Sequence, residues 1–233
     1  MPSSRYLARD AVRMVVDELQ NQQREPLSIL ELGPGTGTFT ERILPNLKEG
    51  DRFDAVELNA YFYNLLRKRF RTNGDLRLHH QDFLTYSSDY KYDFVISSLP
   101  YEQIPASITR TMWEHKLTLC KPGSFIIYYK YMNFNHFRSL FEKQLVRDYC
   151  SEEKIIFLNM PPARLFTLKI EEPEKCLAIV LDETVRSPVP METMRKFVST
   201  VSRPLKNEGL LNGRPRGKKE KKKKVPPFFP GPY

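Results

Sequence analysis

Cysteine is scarce. Cys120, Cys150 and Cys176 are the three in 233 residues, and they lie far apart. They form no CxxC pair and no mixed His/Cys spacing, so neither a disulfide framework nor a metal site is expected. They read as reduced, buried thiols. No apolar run approaches the ~20 residues that cross a bilayer. The start, Met1-Pro2-Ser3-Ser4-Arg5, passes straight into an amphipathic pattern and carries no secretory signature. These absences fit a cytoplasmic protein, peripheral at most to the inner face of a membrane. Acidic charge is short as well: 28 Asp and Glu stand against 37 Lys and Arg, a net charge of +9. The surplus is local. Arg203 to Lys224 holds ten Lys/Arg and two Glu, which leaves 27 basic and 26 acidic residues elsewhere. A nearly neutral body with a basic tail argues against a folded part that is itself a strongly basic nucleic-acid binder.

What is present is an alternation of helices and strands. Ser3 or Ser4 can cap a first helix whose apolar face is Leu7, Ala8, Ala11, Val12, Val15, Val16 and Leu19. Strands are expected at Leu27–Leu32, Phe53–Leu58, Leu76–Gln81, Tyr92–Ser97 and Ser124–Lys130. Helices are expected at Phe39–Leu47, Ala60–Arg71, Ile104–Thr118 and Asn135–Gln144, with a turn at Lys121-Pro122-Gly123. Three further β segments follow, Glu153–Leu158, Arg164–Ile170 and Cys176–Asp182, two of which form a terminal antiparallel hairpin. The fold class is α/β, a doubly wound, mostly parallel Rossmann-like sheet. The expected organisation is a helix over 1–20, a cofactor-binding domain over 21–182, an extension over 183–202 and a disordered Lys/Pro-rich tail over 203–233.

The strongest chemical signal is Glu31-Leu32-Gly33-Pro34-Gly35-Thr36-Gly37, which follows a strand and opens a helix. Alternating Gly33, Gly35 and Gly37 let backbone approach a ligand closely. Glu57 ends the second strand, where an acid receives the two hydroxyls of a ribose. Asp82 ends the third, where an acid can accept from an adenine amino group while the Phe83 ring stacks on the base. Thr36, Leu58 and Ser97, beside these positions, complete the expected lining. A nicotinamide loop keeps GxGxxG so that a helix N-terminus meets pyrophosphate. Here the form is GxGxG preceded by Glu31, which suits S-adenosylmethionine (SAM): Glu31 near the ammonium, loop amides on the carboxylate. The string closely resembles motif I of class I SAM-dependent methyltransferases.

The fourth strand leads into Ser97-Ser98-Leu99-Pro100-Tyr101. Leu99-Pro100-Tyr101 resembles the N-L-P-Y motif of ribosomal RNA adenine dimethyltransferases, with Ser98 at the Asn position. The wider S-S-L-P-Y-E-Q-I-P string, the Pro2–Arg9 segment P-S-S-R-Y-L-A-R and the Asn159–Phe166 segment N-M-P-P-A-R-L-F resemble bacterial phospholipid N-methyltransferases more. That likeness runs from Pro2 to about Leu168. It departs at Ser98, at Tyr101 and in the extension from Cys176. An RNA dimethyltransferase is also expected to carry a C-terminal helical domain, for which little chain follows Asp182.

The resemblance implies a SAM-dependent N-methyltransferase acting on a phospholipid amine of the phosphatidylethanolamine type. An RNA adenine-N6 methyltransferase is the alternative, and a non-catalytic SAM-fold binding protein a third. At the acceptor, Tyr101 or Glu102 can take a proton while backbone carbonyls of Ser98 and Leu99 orient the nitrogen. Arg5, Tyr6, Lys130 and Arg164 are candidates to hold the substrate, the basic ones on its phosphate. Phe134 and Phe137 can line an acyl or base pocket. In the tail, Gly217–Lys224 followed by Phe228, Phe229 and Tyr233 suits an anionic membrane surface, and the same string can bind RNA non-specifically.

Overall fold

The computed structural model describes residues 4–71, 75–101, 104–132 and 139–182, without the side chains of Ala106 and Ser107. Seven strands among these residues form one sheet: β1 (Ser28–Leu32), β2 (Arg52–Glu57), β3 (Leu76–His80), β4 (Tyr92–Ser97), β5 (Cys120–Tyr131), β6 (Cys150–Ile156) and β7 (Ala163–Ile170). Their spatial order is β3-β2-β1-β4-β5-β7-β6. β1 to β5 run parallel, and β7 pairs antiparallel with both β5 and β6. The terminal hairpin is therefore β6–β7. Every residue of β1 is buried, as a parallel strand covered on both faces requires.

Among the described residues six helices flank the sheet: α1 (Arg5–Gln20), α2 (Thr40–Ile43), α3 (Ala60–Arg69), α4 (Ala106–Thr118), α5 (Leu140–Tyr149) and α6 (Pro173–Leu181). Ser4 caps α1, its hydroxyl accepting from Leu7 N at 3.2 Å. Strand alternation separates two cores. Ile29, Phe94, Ile96, Ile127 and Leu165 pack with Leu7, Ala11, Val15 and Leu19 of α1. Leu30, Leu32, Ile126, Tyr128, Phe166 and Leu168 pack against α4, α5 and α6.

Four expectations change. Of the expected Cys176–Asp182 strand, Cys176–Leu181 belongs to helix α6 and Asp182 is its C-cap. A short apolar run does not fix its own period, but Pro173 at the helix start with Glu174 in the first turn does, and it buries Cys176 and Val180 one turn apart. The Phe39–Leu47 helix is one α turn followed by a 3-10 turn over Leu44–Asn46. Pro45 lacks the N–H that a longer helix would need. Lys121-Pro122-Gly123 is absorbed into β5 at a register shift, with Gly123 at φ +80°. Finally, α5 begins at Leu140 and runs to Tyr149, later than the expected 135–144; Phe134 and Phe137 lie outside the described residues, as do the extension and the tail. No helix among the described residues is long and apolar enough to cross a membrane.

One buried ion pair fixes the approach to β1 and β2. The Asp51 side chain is fully buried and that of Arg24 is 5% exposed. Asp51 accepts from Arg24 Nη1 and Nη2 at 2.7 and 2.6 Å, from Leu27 N at 2.9 Å and from Lys48 N at 2.8 Å. Asp51→Ala strands the guanidinium and two amides, so unfolding free energy should fall by about 3–5 kcal/mol, read as a lower urea midpoint with little change in slope.

Candidate active site

The strand order reverses between β1 and β4, the position where open α/β sheets bind ligands beyond their carboxyl ends. Backbone bonds draw the loops there together. Gly33 N donates to Val56 O and Ser98 N to Leu32 O, both at 2.9 Å. Gly35 N donates to Glu57 Oε2 at 3.0 Å, and Asn59 N to Glu57 Oε1 at 2.8 Å. The acid that ends β2 is thereby coupled to the glycine loop. Burial raises its pKa despite these donors.

The loop glycines have different reasons. A Cβ on Gly33 would meet Leu99 Cδ2 at 2.9 Å, and one on Gly37 would meet Phe70 Cε2 at 2.7 Å and Leu66 Cδ2 at 2.8 Å. Those two are set by packing. A Cβ on Gly35 would find no atom nearer than Gly33 O at 4.0 Å. Gly35 therefore borders open space, with φ at +58°. Thr36, between them, holds its hydroxyl 3.1 Å from that of Thr38.

Glu31 is completely buried on the α1–α2 side of the sheet. Thr40 Oγ1 donates to its Oε2 at 2.6 Å, while Oε1 has no partner among the described residues. Burial pushes its pKa up to about 8, and the neighbouring Glu57 charge adds to the shift. An unpartnered buried carboxylate oxygen suits a cationic ligand group. Ser98 Oγ is likewise buried without a partner. With the hollow at Gly35, these atoms fit an ammonium-bearing zwitterion such as the methionine end of SAM.

Asp82 stands just past β3, where its Oδ1 accepts from Leu84 N at 2.9 Å and leaves Oδ2 for another donor. Leu58, past β2, is half-buried. Phe83 corrects an expectation: its ring is 6% exposed and packs in the core against His115, centroids 4.9 Å apart, so it does not offer an open stacking face.

The acceptor loop holds a second correction. Tyr101 is 3% exposed, with its hydroxyl directed into the protein. It lies 2.6 Å from Ser97 Oγ and accepts from Lys116 Nζ at 2.5 Å. The hydroxyl is thus not placed to receive a proton from an acceptor. Ser97, fully buried, supports the loop from beneath. Leu99 lies over Gly33, and the Ser98 carbonyl is 3.7 Å from the Gly33 Cβ position. Glu102 lies outside the described residues. Lys116 was not anticipated. Its signal was its place one and two turns beyond Met112 and Ile108 on the apolar face of α4. It is fully buried, lies 3.9 Å from the Trp113 ring centroid, and burial lowers its pKa to about 7.

Of the expected substrate anchors, Lys130 is corrected too: it is 5% exposed and donates to buried Glu142 at 2.5 Å, so it faces the interior. Arg164 pairs with Glu153 at 2.9 Å and keeps a buried Nε without a partner. Arg5 is exposed and donates to the half-buried Tyr6 hydroxyl at 2.9 Å. No group of His, Cys, Asp and Glu that could hold a metal occurs among the described residues.

The ribosomal RNA adenine dimethylase family model matches residues 5–122, half of the chain. The chain belongs to this family. It is a SAM-dependent methyltransferase. A ribosomal RNA small subunit methyltransferase A from Sulfurihydrogenibium is 24% identical over 86% of this chain and 77% of its own length. Against the enzyme of that name from a Synechococcus the identity is 34%, but the chain spans only 29% of that relative's length. An ornithine lipid N-methyltransferase from Singulisphaera acidiphila is 33% identical over 53% of this chain and 65% of its own length. The N-methyltransferase NodS of Bradyrhizobium japonicum, in complex with S-adenosyl-L-homocysteine, shares the fold: its TM-score is 0.56 at 14% identity, over 71% of this chain and 88% of that one.

Two outcomes are expected of the cofactor site. Gly35→Val fills the hollow and should abolish SAM binding in calorimetry while the protein stays folded; retained affinity would remove the hollow from the site. Glu31 is largely protonated near neutrality without ligand, and a bound cation lowers its pKa, so binding releases a proton. SAM affinity should therefore rise from pH 6 to 8 and level off above, with a buffer-dependent binding enthalpy that Glu31→Gln removes.

Proposed function

We propose that this methyltransferase acts on the amine of a phospholipid headgroup, of the phosphatidylethanolamine type. The observation that carries the reading is the inward placement of Tyr101. An enzyme that modifies a base extrudes it and holds it by stacking and by hydrogen bonds to its edge. Here the aromatic ring of the acceptor loop is buried, its hydroxyl engaged by Ser97 and Lys116. Ser98 stands where the RNA-acting motif has an amide side chain. Glu31, Gly33, Gly35, Thr36, Gly37, Glu57, Leu58, Asp82 and Ser97 are assigned to cofactor binding. The ornithine lipid relative supports an amine of a lipid as acceptor. The family match supports RNA adenine as the second reading, but it ends at residue 122, before Arg164 and the β6–β7 hairpin.

SAM supplies an activated methyl group, so the protein's part is to hold a neutral amine in line with it. The Ser98 carbonyl, facing the glycine loop, accepts from the amine and orients its lone pair. Leu99 excludes water where it covers Gly33. Glu102, or water at the loop, receives the proton that the amine must lose. A phosphate next to the amine needs a cation, and the guanidinium of Arg164, whose side chain is 26% exposed, can supply it, with exposed Arg5 as a second contact.

Labelled SAM given with phosphatidylethanolamine vesicles or with ribosomal RNA separates the two readings. Label is expected in the lipid, and Arg164→Ala should lower lipid methylation at least tenfold while SAM affinity stays within twofold. Label confined to RNA adenines would replace the lipid by RNA as acceptor.

A further inference from the structure

The β6–β7 turn presents an unusual surface. Phe157, Leu158 and Met160 are 72%, 68% and 81% exposed, the three most exposed large apolar side chains among the described residues. They do not hang from a loose loop. Between them Asn159 is 3% exposed and pinned on three sides. Its Oδ1 accepts from Ser4 N at 2.9 Å, its Nδ2 donates to Pro161 O at 2.7 Å, and its backbone N donates to Ile156 O at 3.3 Å. Met132 N donates to Pro162 O at 2.7 Å and ties the turn to the end of β5. A polar residue is thus spent on holding three apolar side chains outward in water.

The place of the turn matters as much as its composition. β7 enters the sheet opposite Tyr131, at the carboxyl end of β5, and β5 runs parallel to β4. The turn therefore stands on the same edge as the Ser98–Tyr101 loop, two strands from it. The bond from Ser4 joins it to the start of α1, where Arg5 and Arg9 are exposed. Apolar tips flanked by arginines on the substrate edge are what an anionic bilayer interface accepts. A second copy of the chain is a poorer occupant, since a stable interface buries about 800 Å² on each partner, more than three side chains on a turn present.

We propose that the Phe157–Pro162 turn enters the interfacial layer of a phospholipid membrane and sets the active edge against it. The proposal rests on the lipid reading and supplies what that reading lacks, a route by which a headgroup anchored in a bilayer reaches the acceptor loop. It differs from any contact through the lysine-rich tail, because apolar insertion resists salt and lysine attraction does not.

The test uses the full chain and vesicles of phosphatidylethanolamine with phosphatidylglycerol. The variant is Phe157→Ser combined with Leu158→Ser and Met160→Ser. All three side chains are exposed, so its melting temperature should match wild type. Flotation at high salt is expected to fall at least tenfold in the variant, and methylation of vesicle lipid to fall with it. Methylation of a short-chain, water-soluble phosphatidylethanolamine should be unchanged. Equal flotation of variant and wild type at high salt would overturn the proposal, as would a variant that only converts a dimer to a monomer in sedimentation. If wild type floats through the turn yet methylates neither lipid, the acceptor reading fails and the membrane contact stands.

Discussion

Parallel pairing of β1 with β2 on one side and β4 on the other is the constraint on which the site depends. It directs the carboxyl ends of three strands to one edge, and the reversal of strand order opens a crevice between two of them. Into it project the glycine loop, Glu57 and the Ser98 loop, cross-linked by the bonds from Gly33, Ser98 and Gly35. The same pairing buries Glu31, which lies between Ala55 and Ile96 in register. Enclosed by two strands and a helix, with Oε1 unpartnered among the described residues, its carboxyl group is held largely protonated by burial. A cationic ligand group favours the charged form, so binding such a group and loss of that proton are linked.

Beneath the acceptor loop lies a polar layer on the opposite face of the sheet. Lys116 donates to Tyr101, Tyr101 meets Ser97, and one strand away Lys130 pairs with Glu142. Tyr128 separates the two groups, its ring in contact with those of Tyr101, Trp113 and Phe166. Buried charges of this kind contribute little net stability, but their donors and acceptors have few alternative partners. They fix where the loop turns. With a folded pKa near 7, far below its solution value, Lys116 sheds its charge on the way from neutral to basic pH, and the desolvation cost it imposes fades over that range.

The backbone frame of the cofactor half was legible in the sequence because its signals are local, whereas the packing of Phe83 against His115 was not. Glycine spacing, an acid at a strand end and the strand–loop–helix context each follow from a few neighbouring residues, and β1 to β4 fell within two residues of their expected bounds. The interior polar pairs were not legible. Lys130, on β5, looks like a phosphate anchor until Glu142 arrives from α5, and Tyr101 looks like a base until Lys116 claims its hydroxyl. Such partners lie 12 and 15 residues away and meet only through packing. The Cys176–Asp182 error has a different origin. Its apolar run satisfies either period, and the decisive residue, Pro173, lies before the run.

Family membership and acceptor choice rest on different parts of the chain. The matched stretch from residue 5 to 122 holds the glycine loop and strands β1 to β4, whose demands are the same for any methyl acceptor. On the proposed lipid reading, the features that set the acceptor are the depth of the Tyr101 ring, Arg164 and the apolar turn at Phe157. The last two lie beyond residue 122, on the antiparallel pair β6–β7. That pair closes the sheet on the side away from β2 and β3. An addition there can change what reaches the edge without disturbing the bonds among Gly33, Gly35 and Glu57. On that reading one cofactor site serves acceptors as unlike as an adenine and a headgroup amine, and the proposed role of the hairpin is to decide which of them arrives.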